Sequence, residues 1–128
     1  MERWMGKCSD VFYTLLRLVV GVLFACHGAQ KLFGVFGSVP SSSLVATAGI
    51  IEFFGGVLVA LGLGAGYAGF IASGEMAVAY FMRHAPHGFW PIVNKGEPAV
   101  LYCFLFLYMA SMGSGRLSLD ALMRRRRA

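Results

Sequence analysis

The chain is cut into long apolar blocks, 11–33, 44–64, 67–84 and 98–112, each closed by glycine, proline or serine. A helix rises 1.5 Å per residue, so about 20 apolar residues cross a hydrocarbon layer of roughly 30 Å. Backbone polar groups placed in that layer must pair internally, and a continuous apolar run of such length does so as a helix. Composition points the same way: 58% of the residues are hydrophobic and 13% charged, against roughly a quarter charged in soluble domains. The expected fold is therefore all-α: a four-transmembrane-helix antiparallel bundle in a single domain over residues 1–128, with a short interfacial helix and basic tail in 113–128.

The connections fix how such helices would be arranged. Residues 34–43 form an uncharged Gly/Ser/Pro loop, and Ser42 or Ser43 is placed to cap the second helix. Gly64-Ala-Gly66 is a tight turn that makes the second and third spans antiparallel neighbours. Pro86 ends the third span near His84 or Ala85, and Pro91, Asn94 and Gly96 keep 86–96 irregular. Glu97-Pro98 opens the fourth span, with proline at the first helical position. Residues 1–10 read as a short polar terminus with Trp4 at the headgroups. Leu23-Phe-Ala-Cys26 has the outline of a lipoprotein cleavage site, but Phe24 suits it poorly and the segment is expected to be retained.

Charge sets the orientation. The formal net charge of +5 comes largely from Arg124 to Arg127; Arg3, Lys7 and Arg116 also lie at the chain ends, while loop 34–43 carries no charge. The positive-inside rule puts both termini in the cytoplasm, which requires an even number of spans. Arg83 and Lys95 run against the rule but are outnumbered. A basic run next to an apolar block reads as an anchor on anionic lipid, not as a nucleic-acid site. Cys8, Cys26 and Cys103 form no C-x-x-C pair, which argues against a membrane thiol–disulfide catalyst and a structural zinc site.

A chain this poor in charge gathers its polar residues unevenly. With the expected topology, His27 and Lys31 of the first helix, Glu52 of the second, Glu75, Tyr80 and His84 of the third, and Asn94 and Glu97 before the fourth all fall in the outer half. Ionisable groups in hydrocarbon are costly and mark function by default. Each also has a plainer reading. Glu52 lies in line with Gly56 and Ala60, so it points at a neighbouring helix; either it handles protons together with Glu75, or it forms a packing ion pair with Arg17 or Lys31. Arg17 and Lys31, toward opposite ends of their helix, are expected to snorkel. His27 is suited to a quinone carbonyl or to axial ligation of a haem or chlorophyll-type group, and equally to a hydrogen bond inside the bundle; no compact ligand spacing accompanies it, so no metal is assigned. Tyr80 and His84 share a face that could line a head-group pocket, whereas Tyr80 and Trp90 also suit an aromatic belt. Asn94 and Glu97 have a turn-and-cap reading beside the binding one.

The motifs together resemble the DoxX family: His27-Gly-Ala-Gln-Lys-Leu-Phe-Gly34, Glu52-Phe-Phe-Gly-Gly56, Glu75-Met-Ala-x-Ala-Tyr80 through His84, Gly88-Phe89, Asn94-x-Gly-Glu97, and the ending Gly113-Ser-Gly-Arg-Leu-Ser-Leu-Asp120. The resemblance runs from Leu15 to Leu122. It implies a small four-helix protein of the bacterial inner membrane, in a family linked to quinone and oxidative-stress chemistry and named for a subunit associated with thiosulfate:quinone oxidoreductase. The expected function is an accessory membrane subunit of a redox complex that contacts quinol. His27, Lys31, Tyr80, His84, Asn94 and Glu97 would surround the head group, while Glu75, Glu52 and His27 handle protons and head-group contact. No redox centre is encoded, so electrons would pass to a bound cofactor or to another membrane subunit. The alternatives are a structural small subunit of a larger assembly, with a haem or chlorophyll-type ligand on His27, and a carrier for a small solute, for which inverted repeats and mid-membrane breaks are lacking.

Overall fold

A computed structural model describes residues 1–128. The chain is helical throughout, without strands: α1 (Glu2–Lys7), α2 (Ser9–Phe33), α3 (Ser43–Leu61), α4 (Ala65–Ala79), a π turn (Tyr80–His84), a 3₁₀ turn (Ala85–His87), α5 (Pro91–Asn94), α6 (Glu97–Met112) and α7 (Leu119–Arg127). Helices α2 and α3 are long and apolar enough to cross a membrane; α6 is a shorter apolar helix.

The helix boundaries differ from the sequence expectation at five places. The second block ends at Leu61, not residue 64, because Gly62 and Gly64 adopt left-handed backbone with φ of 70° and 57°. The third helix therefore starts at Ala65. Residues 86–96 are only partly irregular: they hold the end of the 3₁₀ turn and α5, which Pro91 opens and a left-handed Lys95 (φ 61°) closes, while 88–90 and 95–96 are outside any helix. The first residues form α1, and the arginine run belongs to α7, which is capped by the Ser118 hydroxyl accepting from the Ala121 N–H at 3.1 Å. At the start of α3 the cap is Ser42, accepting from the Val45 N–H at 3.1 Å.

Small residues decide which helices touch. In hydrocarbon no hydrophobic force favours helix over lipid, so close backbone approach is what holds helices together. A Cβ on Gly21 would sit 2.6 Å from the Gly56 carbonyl oxygen and from the Ala60 nitrogen. One on Gly28 would sit 2.7 Å from the Gly49 carbonyl oxygen and nearer still to the Phe53 nitrogen. Numbers rise along α2 as they fall along α3, so the two helices are antiparallel in direct backbone contact. Helices α4 and α6 repeat the device: Gly69 lies against the Phe106 carbonyl, and the Ser73 hydroxyl donates to the Cys103 carbonyl at 2.8 Å. Between the two pairs an aromatic seam joins α2 to α6, with Phe24 and Phe106 ring centroids 4.5 Å apart and Tyr102 stacked on Phe106 at 5.8 Å.

The two chain ends lie at the same end of the molecule. Tyr13 donates to the Gly113 carbonyl at 2.6 Å, and Asp10 lies 3.6 Å from Arg116. Arg17 does not snorkel. It is 2% exposed, and its guanidinium donates to the Ser114 and Leu117 carbonyls of the turn beyond α6. Asp120 fastens the same region: its carboxylate accepts from the Ser114 hydroxyl at 2.6 Å and from the Gly64 N–H at 2.8 Å. Those two hydrogen bonds hold the Asp120 carboxyl below the usual carboxylate range. The glycine-rich ending 113–120 is thus a clasp that ties the α3–α4 turn to the end of α6.

Candidate functional site

At the opposite end, a cavity of about 420 Å³ lies between the α2–α3 pair and the α4–α6 pair. Four separate stretches of sequence contribute to it: the last turns of α2, the first half of α3, the second half of α4 with its π turn, and the first turns of α6. Of the residues singled out in the sequence, His27, Lys31, Glu52, Glu75 and His84 line it. Arg83 at the rim and Tyr102 on the wall join them. Neither is among the site residues expected from the sequence.

Glu52 is the anchor of the site. It is 2% exposed, and its Oε1 accepts from Lys31 Nζ at 2.5 Å. Lys31 is the partner because Gly28 and Gly49 bring α2 and α3 close enough for the lysine, one turn further on, to reach across. Of the two arginine or lysine partners open to Glu52, the structure selects Lys31; Arg17 is engaged at the other end. The pair leaves Glu52 Oε2 buried without a hydrogen-bond partner, and Glu75 Oε2 is buried and unpartnered as well. A buried acceptor without a donor costs about 1–3 kcal/mol. Lys31, Arg83 and the Glu52 carboxylate are the charges that face Glu75.

His27 is exposed at the cavity and packs edge-on against Tyr102, ring centroids 6.1 Å apart. His84 belongs to the π turn. Pro86 has no N–H to return to the Met82 carbonyl, so the α-helical ladder cannot continue and the turn widens. The Ala85 N–H bonds to the Tyr80 carbonyl in consequence. Tyr80 and His84 rings then lie 6.3 Å apart and tilted by 30°.

Tyr80, Asn94 and Glu97 are not on the cavity wall. Asn94 is 4% exposed and works as a fastener: Nδ2 donates to the Tyr80 hydroxyl at 3.1 Å and to the Gly88 carbonyl at 2.9 Å, while Oδ1 accepts from the Gly96 N–H at 2.8 Å. His84 Nδ1 lies 3.1 Å from the Asn94 carbonyl oxygen. A Cβ on Gly96 would meet the Tyr80 ring and His84 Cβ, both at 2.7 Å, so glycine lets this segment lie flat on the π turn. Glu97 is exposed in the first turn of α6, where a carboxylate suits the positive end of the helix dipole. Asn94 makes the turn contact, whereas Glu97 makes no side-chain cap hydrogen bond; Tyr80 and Asn94 hold His84 in place beside the cavity. No three His, Cys, Asp or Glu side chains converge as ligands for a metal.

Apolar helices built on small-residue contacts, enclosing a pocket of ionisable side chains, define a membrane-associated helical protein. The DoxX family model matches residues 12–85, and the chain belongs to the DoxX family. It is 44% identical to an uncharacterized protein of Haemophilus influenzae, over 91% of this chain and 93% of that one. It is 29% identical to a Bacillus subtilis protein bearing the name "Putative oxidoreductase CatD", over 91% of this chain and 90% of that one. No solved structure matches it.

Proposed function

We propose that the protein is an accessory subunit of a redox complex in the bacterial inner membrane, and that its cavity holds the head group of quinol. The observation that carries this reading is the placement of two carboxyl groups, Glu52 and Glu75, with a lysine and a histidine around a cavity set among apolar helices. The oxidoreductase name of the Bacillus subtilis relative accords with it. In this reading α2, α3, α4 with its π turn, and α6 all cross the bilayer, both termini are cytoplasmic, and the cavity lies in the outer half. His27 and Lys31 contact the ring oxygens. Glu75 and Glu52 each take up one of the two hydroxyl protons as the two electrons leave for a partner subunit, because the chain itself encodes no redox centre. Tyr80, Asn94 and Glu97 act indirectly, by setting His84 and the start of α6.

The test is the combined quinol and quinone content of protein purified gently, without air, from native membranes. Wild type is expected to retain quinol, and Glu75→Gln and His27→Ala to lose it by about tenfold. Equal content in all three, or none in any, would sink the proposal. The same samples address a second reading, favoured by the fact that His27 is exposed at the cavity: a structural subunit carrying a haem or chlorophyll-type group on that imidazole. A visible absorption band present in wild type and missing in His27→Ala is its signature.

A further inference from the structure

Resting on the quinol-contact reading, we infer that the cavity receives its ligand sideways from the bilayer, between α3 and α4, and selects a neutral, tail-bearing hydroquinone over the matching quinone. The route follows from two facing stripes. On α3 the wall is formed by Leu44, Thr47, Ala48 and Ile51; on α4 and its π turn by Ile71, Gly74, Val78 and Met82. Both sets step by three and four, so each is one face of its helix. At the surface these walls are apolar and open: Leu44 is 51% exposed, Ile71 57%, Val78 54% and Met82 55%. On the α2–α6 side, ring contacts of Phe24 and His27 with Tyr102 stand across the seam. Gly21, Gly28 and Gly56 seal α2 against α3, and Gly69 with Ser73 seals α4 against α6. An apolar tail fits between the stripes while the head reaches the carboxyl groups.

The selectivity follows from what the wall lacks. Glu52, held by an ammonium, is a carboxylate and accepts only. Its Oε2 and the Glu75 Oε2 have no donor within the protein. A hydroxyl on the ligand supplies one; a quinone carbonyl does not. Lys31 and His27 can donate to a ring oxygen of either form, so they do not set the preference; the two carboxyl oxygens without a donor do. Lys31 and Arg83 stand with Glu52 and Glu75 around the cavity, so side chains of both signs face a ligand and a neutral one suits it. Phe24 and Tyr102, ring centroids 5.6 Å apart, offer an aromatic wall to a ring. A volume of about 420 Å³ suits a ring and the start of its tail, since small-molecule sites occupy roughly 300–1,000 Å³.

The experiment measures binding to the full chain in phosphatidylcholine nanodiscs, under anaerobic conditions. The probes are an alkyl hydroquinone, the matching alkyl quinone, the hydroquinone dimethyl ether and tail-less hydroquinone. The alkyl hydroquinone is expected to bind about tenfold or more tightly than the quinone or the ether, since one hydrogen bond to a charged acceptor separates them. Glu75→Gln, which replaces the acceptor with an amide, should shrink that gap. Val78→Trp, at an exposed position, should slow association of the tailed hydroquinone and leave the tail-less one unchanged. Quinone or ether binding as tightly as hydroquinone overturns the selectivity while leaving the quinone-contact reading standing. Failure of every probe to bind overturns both. Unchanged association of the tailed probe in Val78→Trp overturns the lateral route.

Discussion

Arg17 and Lys31 sit on one helix and look alike in sequence, yet the structure uses them for opposite purposes. Arg17 satisfies backbone carbonyls beyond α6, where a planar guanidinium with several N–H groups can reach two acceptors at once. Lys31 is a single charge set against a buried carboxylate. Removing one partner of a buried pair leaves the other uncompensated, which costs about 3–5 kcal/mol, whereas replacing both with apolar residues is far milder. Lys31→Met should therefore lower the thermal unfolding midpoint in detergent sharply, and Lys31→Met combined with Glu52→Leu should recover most of the loss. A double variant no more stable than the single one would show that the pair does not hold α2 to α3.

Among the helices, glycine placement does the sorting. Gly28 and Gly55 both lie inside long apolar helices, but a side chain at Gly28 would strike the backbone of α3, while one at Gly55 meets nothing within 4 Å. Gly28→Val is expected to destabilise by about 1–3 kcal/mol through overpacking and to pull Lys31 away from Glu52. Gly55→Ala should cost nothing, because alanine suits a helix better than glycine does. Thermal unfolding of the two variants side by side checks this; equal losses would mean that close approach is not what joins the pair. The π turn makes a related point. Pro86 announces a helix end, but only the contacts of Asn94 and Gly96 with Tyr80 and His84 turn that end into a fixed platform beside the cavity.

For the molecule as a whole, contacts of Tyr13 with Gly113 and of Asp10 with Arg116 bring the chain ends together, opposite the cavity. If the helices span the bilayer as proposed, single cysteines placed by Ser41→Cys and Lys95→Cys in a cysteine-free background will react with an impermeant thiol reagent from the outer side. Arg3→Cys and Arg127→Cys will react only after the membrane is opened. Labelling of both groups from one side would contradict the four-span arrangement.

Much of this was legible along the chain. The length and apolarity of the blocks determine helices, because hydrocarbon leaves the backbone no other partner; the prolines and glycines mark the ends; and Glu52, set in line with Gly56, has to face protein. The sequence could not decide which cation Glu52 takes, that Arg17 and Asp120 belong to a clasp at the far end, or that Tyr80 and Asn94 brace His84 from outside the cavity. Those outcomes depend on distances between helices remote in the chain, and such distances are set by backbone contacts at a few glycines and by the width of one turn, neither of which any local pattern encodes.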